Sequence, residues 1–257
     1  IMIRIFVGTS ETEDRFIVQI LVYSLYKHTS QPLEITFLRP SMFPEWNTRG
    51  WGTPFTCFRY AIPGMCQYKG KAIYFDVDQL NLKDVALLWN IDLKGKAFGM
   101  VWDGLNHNGM QYADTEYARG WYSDSVMLID CEKAKEHLAP NAEIAKSTNV
   151  YKYDFMKNAG APKSRENDVI HPISSKWNSF DGFITDDPKL DGAENRKLGG
   201  SYDIGEIYQL HWTGLSSQPW HPKYTPHGKS PHPRPDLVNL LWKYAYEVRK
   251  IAHPEEF

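Results

Sequence analysis

Short apolar runs alternate along this chain with segments whose hydrophobic residues recur at helical spacing. Ile3-Arg4-Ile5-Phe6-Val7 reads as a first buried strand. Gly8-Thr9-Ser10 turns the chain, and Ser10 and Glu13 stand at capping-box spacing. A helix is expected from there to about His28, with Phe16, Ile20, Tyr23 and Leu25 among its core residues. Glu34 to Leu38 reads as a second strand, and the Pro-, Trp- and Gly-rich stretch to about Thr53 as a long loop. Pro54 opens a short helix that carries Arg59 and ends near Pro63-Gly64. Further strands are expected at 71–76, 97–102, 125–130 and 206–211, and further helices at 83–89, 132–138, 149–158 and 237–251. Residues 160–206 are polar and Gly-rich and carry no legible pattern. Strands alternating with helices predict an α/β domain with a mixed sheet flanked by helices. The 257 residues are read as a single domain without internal repeats.

The most informative run is Lys71-Ala72-Ile73-Tyr74-Phe75-Asp76-Val77-Asp78. It is an apolar strand that ends in two carboxylates one residue apart. Residues at i and i+2 of an extended chain share a face. Asp76 and Asp78 therefore present oxygens to one hard cation, at the strand end where open α/β sheets bind ligands. Mg²⁺ and Mn²⁺ suit a site of one or two carboxylates completed by substrate phosphate. The plainer reading is a pair of solvated Asp in a turn.

Composition removes several alternatives. The net charge of −2 offers no basic field for nucleic acid. No Gly-x-Gly-x-x-Gly follows the first strand, and neither a P-loop nor a Gly-x-Ser-x-Gly elbow is present. Nine Trp and fifteen Tyr supply flat rings suited to stacking on sugars or bases, or to filling a core. Cys57, Cys66 and Cys131 lack CxxC spacing, which fits a reducing compartment. No run of about 18 apolar residues exists, so no transmembrane span is expected. With no signal peptide legible, the expected location is the cytoplasm. His221, His227 and His232 lie in a Pro-rich segment after Trp220. Their spacing fits no common ligand pattern, which favours a rigid loop over a metal centre.

Phe58-Arg59-Tyr60-Ala61-Ile62-Pro63, then Tyr68 to Asp78, then Leu87-Leu88-Trp89 resemble the core of glycosyltransferase family 8. Three later segments agree: Ser125 to Asp130, Lys176-Trp177-Asn178, and His211-Trp212-Thr213-Gly214 followed by Gln218-Pro219-Trp220. The resemblance spans roughly residues 3 to 220. It implies a GT-A-like (Rossmann-like) fold and transfer of a sugar from a nucleotide sugar with retention at the anomeric carbon. It divides the domain into a nucleotide-sugar-binding part, about 1–100, and an acceptor and closing part, about 101–257. It assigns Asp76, Asp78 and His211 to the metal, Mn²⁺ or Mg²⁺, with the imidazole favouring Mn²⁺. Gly8, Thr9, Arg59, Val77, Gly214 and Gln218 join Asp76 and Asp78 around the donor, expected to be a UDP-hexose. Arg59 is expected beside the donor phosphates or sugar, where its loss weakens donor use more than fold stability. Asp124, Asp154 and Asp103 are the candidate catalytic carboxylates near the donor sugar.

The chain also departs from the family pattern. The closing-motif Lys that binds pyrophosphate is Gln218 here, which predicts a weaker grip unless Lys223 or Lys229 compensates. The Asn-Ser-Gly turn is Ser123-Asp124-Ser125, and Gly8-Thr9-Ser10-Glu11 replaces the base-contacting Asp. The segment from Trp220 to Pro235 is expected to close over bound nucleotide as a lid. The reading is a metal-dependent retaining hexosyltransferase with a carbohydrate or glycan acceptor. A non-catalytic sugar or nucleotide-sugar binder is the alternative, and a metal-dependent phosphohydrolase a third class.

Overall fold

The computed structural model describes residues 2–13, 15–103, 121–158, 167–181, 202–213, 218–221, 232 and 234–256. The chain opens with β1 (Ile3–Gly8), α1 (Arg15–His28) and β2 (Leu33–Leu38). A 3₁₀ helix, Thr56–Ala61, runs into α2 (Ile62–Met65), then β3 (Lys71–Asp76), β4 (Gln79–Asn81) and α3 (Ala86–Trp89). Next come β5 (Phe98–Asp103), β6 (Trp121–Asp130), α4 (Cys131–Ala134), α5 (Asn141–Ile144) and α6 (Asn149–Asn158). The described residues finish with β7 (Ile170–Ile173), β8 (Ser179–Phe180), β9 (Gln209–His211) and α7 (Pro235–Ala252).

Six strands form one mixed sheet in the order β2-β1-β3-β6-β5-β7. β1 is parallel to both β2 and β3, whereas β6 runs antiparallel between β3 and β5. Ala72 to Phe75 in β3 are fully buried. A central strand covered on both faces reads as such a continuous apolar run. β4, β9 and β8 form a second, three-stranded sheet. The helices flank these sheets. α7 buries Leu237, Val238, Leu241 and Tyr244, the stripe of an amphipathic helix, and packs on α1. The Phe16 and Trp242 rings meet there at 5.3 Å, and Tyr23 Oη donates to Glu247 at 3.1 Å. No described helix is long and apolar enough to cross a membrane.

The expected mixed α/β sheet is present, and the differences lie at element ends. The helix expected from 83 begins at Ala86, because Asp84 Oδ1 accepts from the Ala86 amide and turns the chain first. The helix expected at 132–138 is the single turn Cys131–Ala134, capped by the Asp130 carboxylate on Lys133 N. The segment at 160–206 holds β7, which the pattern missed because His171-Pro172 interrupts its apolar residues. β7 is an edge strand, where a proline costs no ladder bond. The loop before Thr53 is packed: Phe43 stacks on Phe58 at 4.4 Å, bracing the 3₁₀ helix that carries Arg59.

Candidate active site

β1 and β3 are parallel neighbours, so their carboxyl ends lie side by side, with Gly8 opposite Asp76. Gly8 O accepts from Val77 N at 3.1 Å, which extends the pairing one residue past β3. β4 leaves this corner and pairs with β9, placing Gln79 opposite His211. Trp212 N donates to Asp78 O at 3.0 Å just beyond that pair. These strand ends bring Asp76, Asp78 and His211 together. One ligand atom from each lies within 4.8 Å of the others, the only such group among the described residues.

Each of the three is oriented by dedicated partners. His211 Nδ1 lies 3.0 Å from Asn178 Oδ1, whose own amide nitrogen donates to Ser123 Oγ at 2.7 Å. The Asn178 oxygen therefore accepts from Nδ1–H, which leaves Nε2 as the ring nitrogen that faces the cluster. That nitrogen is 3.4 Å from Asp78 Oδ1, a buried oxygen with no hydrogen-bond partner. Burial alone would lower the His211 pKa, but Asp78, Asp76 and Asp181 outweigh it and raise it. Asp78 Oδ2 accepts from Gln218 Nε2 at 3.1 Å. Asp76 Oδ1 accepts from Tyr74 Oη and, at 2.8 Å, from Arg59 Nη2. Burial and the neighbouring Asp78 raise the Asp76 pKa against the pull of Arg59.

Arg59 is 3% exposed, and each of its three guanidinium nitrogens meets a protein oxygen. Besides Asp76 it meets Thr56 O at 2.9 Å, Asp124 O at 2.6 Å and Asp124 Oδ1 at 2.9 Å, and it stacks over the Tyr74 ring at 4.6 Å. Asp124 is equally engaged. Lys152 Nζ meets its Oδ1 at 2.9 Å, and Tyr60 Oη donates to Oδ2 at 2.8 Å. Burial pushes the Asp124 carboxyl up, but Arg59 and Lys152 outweigh it and hold it at about 2.

Comparison with protein families matches Glycosyl transferase family 8 over residues 47–145, the stretch that contains Arg59, Asp76, Asp78 and Asp124. Protein CDI of Arabidopsis thaliana is 34% identical over 189 residues, covering 70% of each chain. The chain belongs to glycosyltransferase family 8. Its fold is that of GT-A glycosyltransferases. The galactosyltransferase LgtC, solved with donor and acceptor sugar analogues, superposes with a TM-score of 0.57 at 14% identity, over 95% of this chain and 96% of that one. The bifunctional glycosyltransferase WbbM gives a TM-score of 0.63 at 15% identity over 96% of this chain. This family 8 chain spans 51% of the length of WbbM. GlyE of Streptococcus pneumoniae gives 0.55 at 15% identity, over 95% of this chain and 60% of GlyE.

The remaining candidates divide by position. Thr9 is buried beside the cluster's strand ends, and its Oγ1 has no hydrogen-bond partner. Asp154 is exposed on α6, two residues beyond the Lys152 that reaches Asp124. Asp103 ends β5, but its side chain, like Gly214, Lys223 and Lys229, lies outside the described residues. So does most of the segment expected to form a lid. Its His232 is described: Nδ1 accepts from Arg234 N at 3.0 Å, and Nε2 faces Asp181 Oδ2 at 3.3 Å. Sequence reasoning missed Tyr74, Tyr60, Lys152 and the orienting role of Asn178. Tyr74 was legible in retrospect, since it stands two residues before Asp76 on the same strand face.

Gly8 holds its place for a steric reason. A Cβ there would lie 2.2 Å from Tyr74 Oη, the hydroxyl that binds Asp76. Gly8→Ala is expected to displace Tyr74 and lower stability by about 1–3 kcal/mol, as overpacking does. Thermal unfolding of the variant measures this. An unchanged midpoint would mean that Tyr74 has somewhere else to go.

Proposed function

We propose that this glycosyltransferase is metal-dependent and retaining, and moves a hexose from a UDP-linked donor to an acceptor hydroxyl on a carbohydrate. The observation that carries the reading is the convergence of one ligand atom each from Asp76, Asp78 and His211 within 4.8 Å of one another, with Asp78 Oδ1 buried and without a hydrogen-bond partner. Two carboxylates and an imidazole suit Mn²⁺ or Mg²⁺, with the nitrogen favouring Mn²⁺. A divalent cation held by these three residues supplies Lewis-acid neutralisation of the departing diphosphate. Arg59 offers no free positive charge at this corner, since it is committed to Asp76 and Asp124.

The protein's own groups set up the rest. Gly8, Thr9 and Val77 build the buried strand ends that hold Asp76 and Asp78 in place beneath the donor. Arg59 and Tyr74 hold Asp76 in one rotamer, and Asn178 holds His211 in the tautomer that binds. Both Asp124 oxygens are occupied, so Asp124 positions Arg59 and does not attack the sugar. This supports same-face displacement, in which the acceptor hydroxyl approaches as the diphosphate departs and the diphosphate takes the acceptor proton. Asp103 and Asp154 remain the candidates for contacts to sugar hydroxyls.

The test is a thermal-shift panel of nucleotide sugars with and without Mn²⁺. A ligand that binds only the native state adds stability by mass action, about 2.7 kcal/mol at one hundred times Kd, and so raises the midpoint. UDP-hexoses are expected to raise it with Mn²⁺ and to lose the effect in EDTA. Equal shifts with and without EDTA would remove the metal from the reading, and a shift by another nucleotide alone would remove UDP.

A further inference from the structure

Gln218 directly precedes Pro219-Trp220, the place that the family resemblance gives to a pyrophosphate lysine, but its side chain points at the metal cluster's own carboxylate. It is 6% exposed. Its Nε2 donates to Asp78 Oδ2 at 3.1 Å and to Trp212 O at 2.9 Å. An amide nitrogen carries two hydrogens, so both are spent. The two partners are a carboxylate and a carbonyl, both acceptors, so the nitrogen and not the oxygen must face them. Trp212 N also donates to Asp78 O, so the Asp78 backbone is tied to the residue after His211 directly and its side chain is tied to it through Gln218.

This tie has one consequence for Asp78. With Oδ2 held, rotation of the carboxylate is stopped, and Oδ1 stays buried without a partner, 3.4 Å from His211 Nε2. A free Asp78 would turn Oδ1 toward water or toward a donor, because an unpaired buried oxygen is costly.

We infer that Gln218 is a positioning residue for the divalent cation at Asp76, Asp78 and His211, acting through Asp78, and not a contact to the diphosphate. The inference rests on the metal-site reading above. The neutral amide is essential to it. An amide fixes the carboxylate and leaves its full negative charge for the cation. An ammonium in the same place forms an ion pair with Asp78, cancels that charge and repels the cation. Gln218→Lys therefore restores the family's residue and weakens metal binding, opposite to the tighter diphosphate grip that sequence alone suggests.

The test is Mn²⁺ titration of the intact chain without nucleotide, following free Mn²⁺ by electron paramagnetic resonance. Wild type is compared with Gln218→Lys and with Gln218→Met, which keeps length and loses the donor. Both variants are expected to bind Mn²⁺ about 10- to 100-fold more weakly, the usual cost of removing a group that orients a metal ligand. Thermal midpoints without metal are measured alongside, because a merely structural contact would lower the midpoint and leave Kd alone. Variant Kd values within twofold of wild type overturn the inference while the metal site stands. Failure of wild type itself to bind Mn²⁺ overturns the metal site. If Gln218→Lys does not fold, Gln218→Met decides alone.

Discussion

Asp78→Asn is expected to cut transfer from the nucleotide sugar by about 100-fold or more while the protein stays folded. The effect on turnover is large because a bound metal contributes several kcal/mol to stabilising developing charge. Each 1.36 kcal/mol is about tenfold in rate. The fold survives because asparagine keeps an oxygen that accepts from Gln218, and the backbone bond from Trp212 to residue 78 is untouched. Moreover, the substitution removes a buried charge whose Oδ1 had no donor in the protein. Steady-state rates at saturating Mn²⁺, read beside thermal unfolding, test this. Turnover within fivefold of wild type would show that Asp78 holds no metal, and a collapsed midpoint would show that its role is in the fold.

Arg59→Ala is the second large expectation, and the structure changes its character. A surface arginine beside the donor would lose substrate affinity and little stability. The buried Arg59 neutralises two buried carboxylates at once, Asp76 and Asp124. Removing one partner of such a pair strands the other charge and costs about 3–5 kcal/mol. In a chain of this size each 1 kcal/mol moves the midpoint by about 2–4 °C, so a fall of about 6–20 °C is expected. Activity falls too, because Asp76 loses the donor that fixes its rotamer. Arg59→Lys is expected to rescue neither fully. One ammonium cannot reach Thr56, both carboxylates and the Asp124 carbonyl together. A midpoint within 2 °C of wild type for Arg59→Ala would return Arg59 to the role of a donor contact.

How these residues act was only partly legible beforehand. The run from Lys71 to Asp78 announced both its strand and its carboxylate pair, because side chains two apart in a strand share a face. The amphipathic stripe of α7 announced that helix in the same way. β7 was hidden, since an edge strand tolerates the proline and histidine that break the apolar pattern. Gln218 read as a missing charge, and nothing local indicated what its amide would meet.

The sequence by itself therefore determined the α/β class, the strand that ends in Asp76 and Asp78, and the family. These follow from short-range periodicity and from motifs of a few adjacent residues. The tertiary structure decided which groups meet. Asp78 and Gln218 are 140 residues apart and touch because β4 and β9 pair in one register. Arg59 and Asp124 are 65 residues apart and touch because β6 returns antiparallel beside β3, under the 3₁₀ helix that carries the arginine. Side-chain partners across such distances depend on strand register, and a shift of one residue turns every side chain to the other face. Strand pairing thus gave Gln218 a carboxylate to orient and Arg59 two charges to neutralise, roles that residue type and spacing alone do not encode.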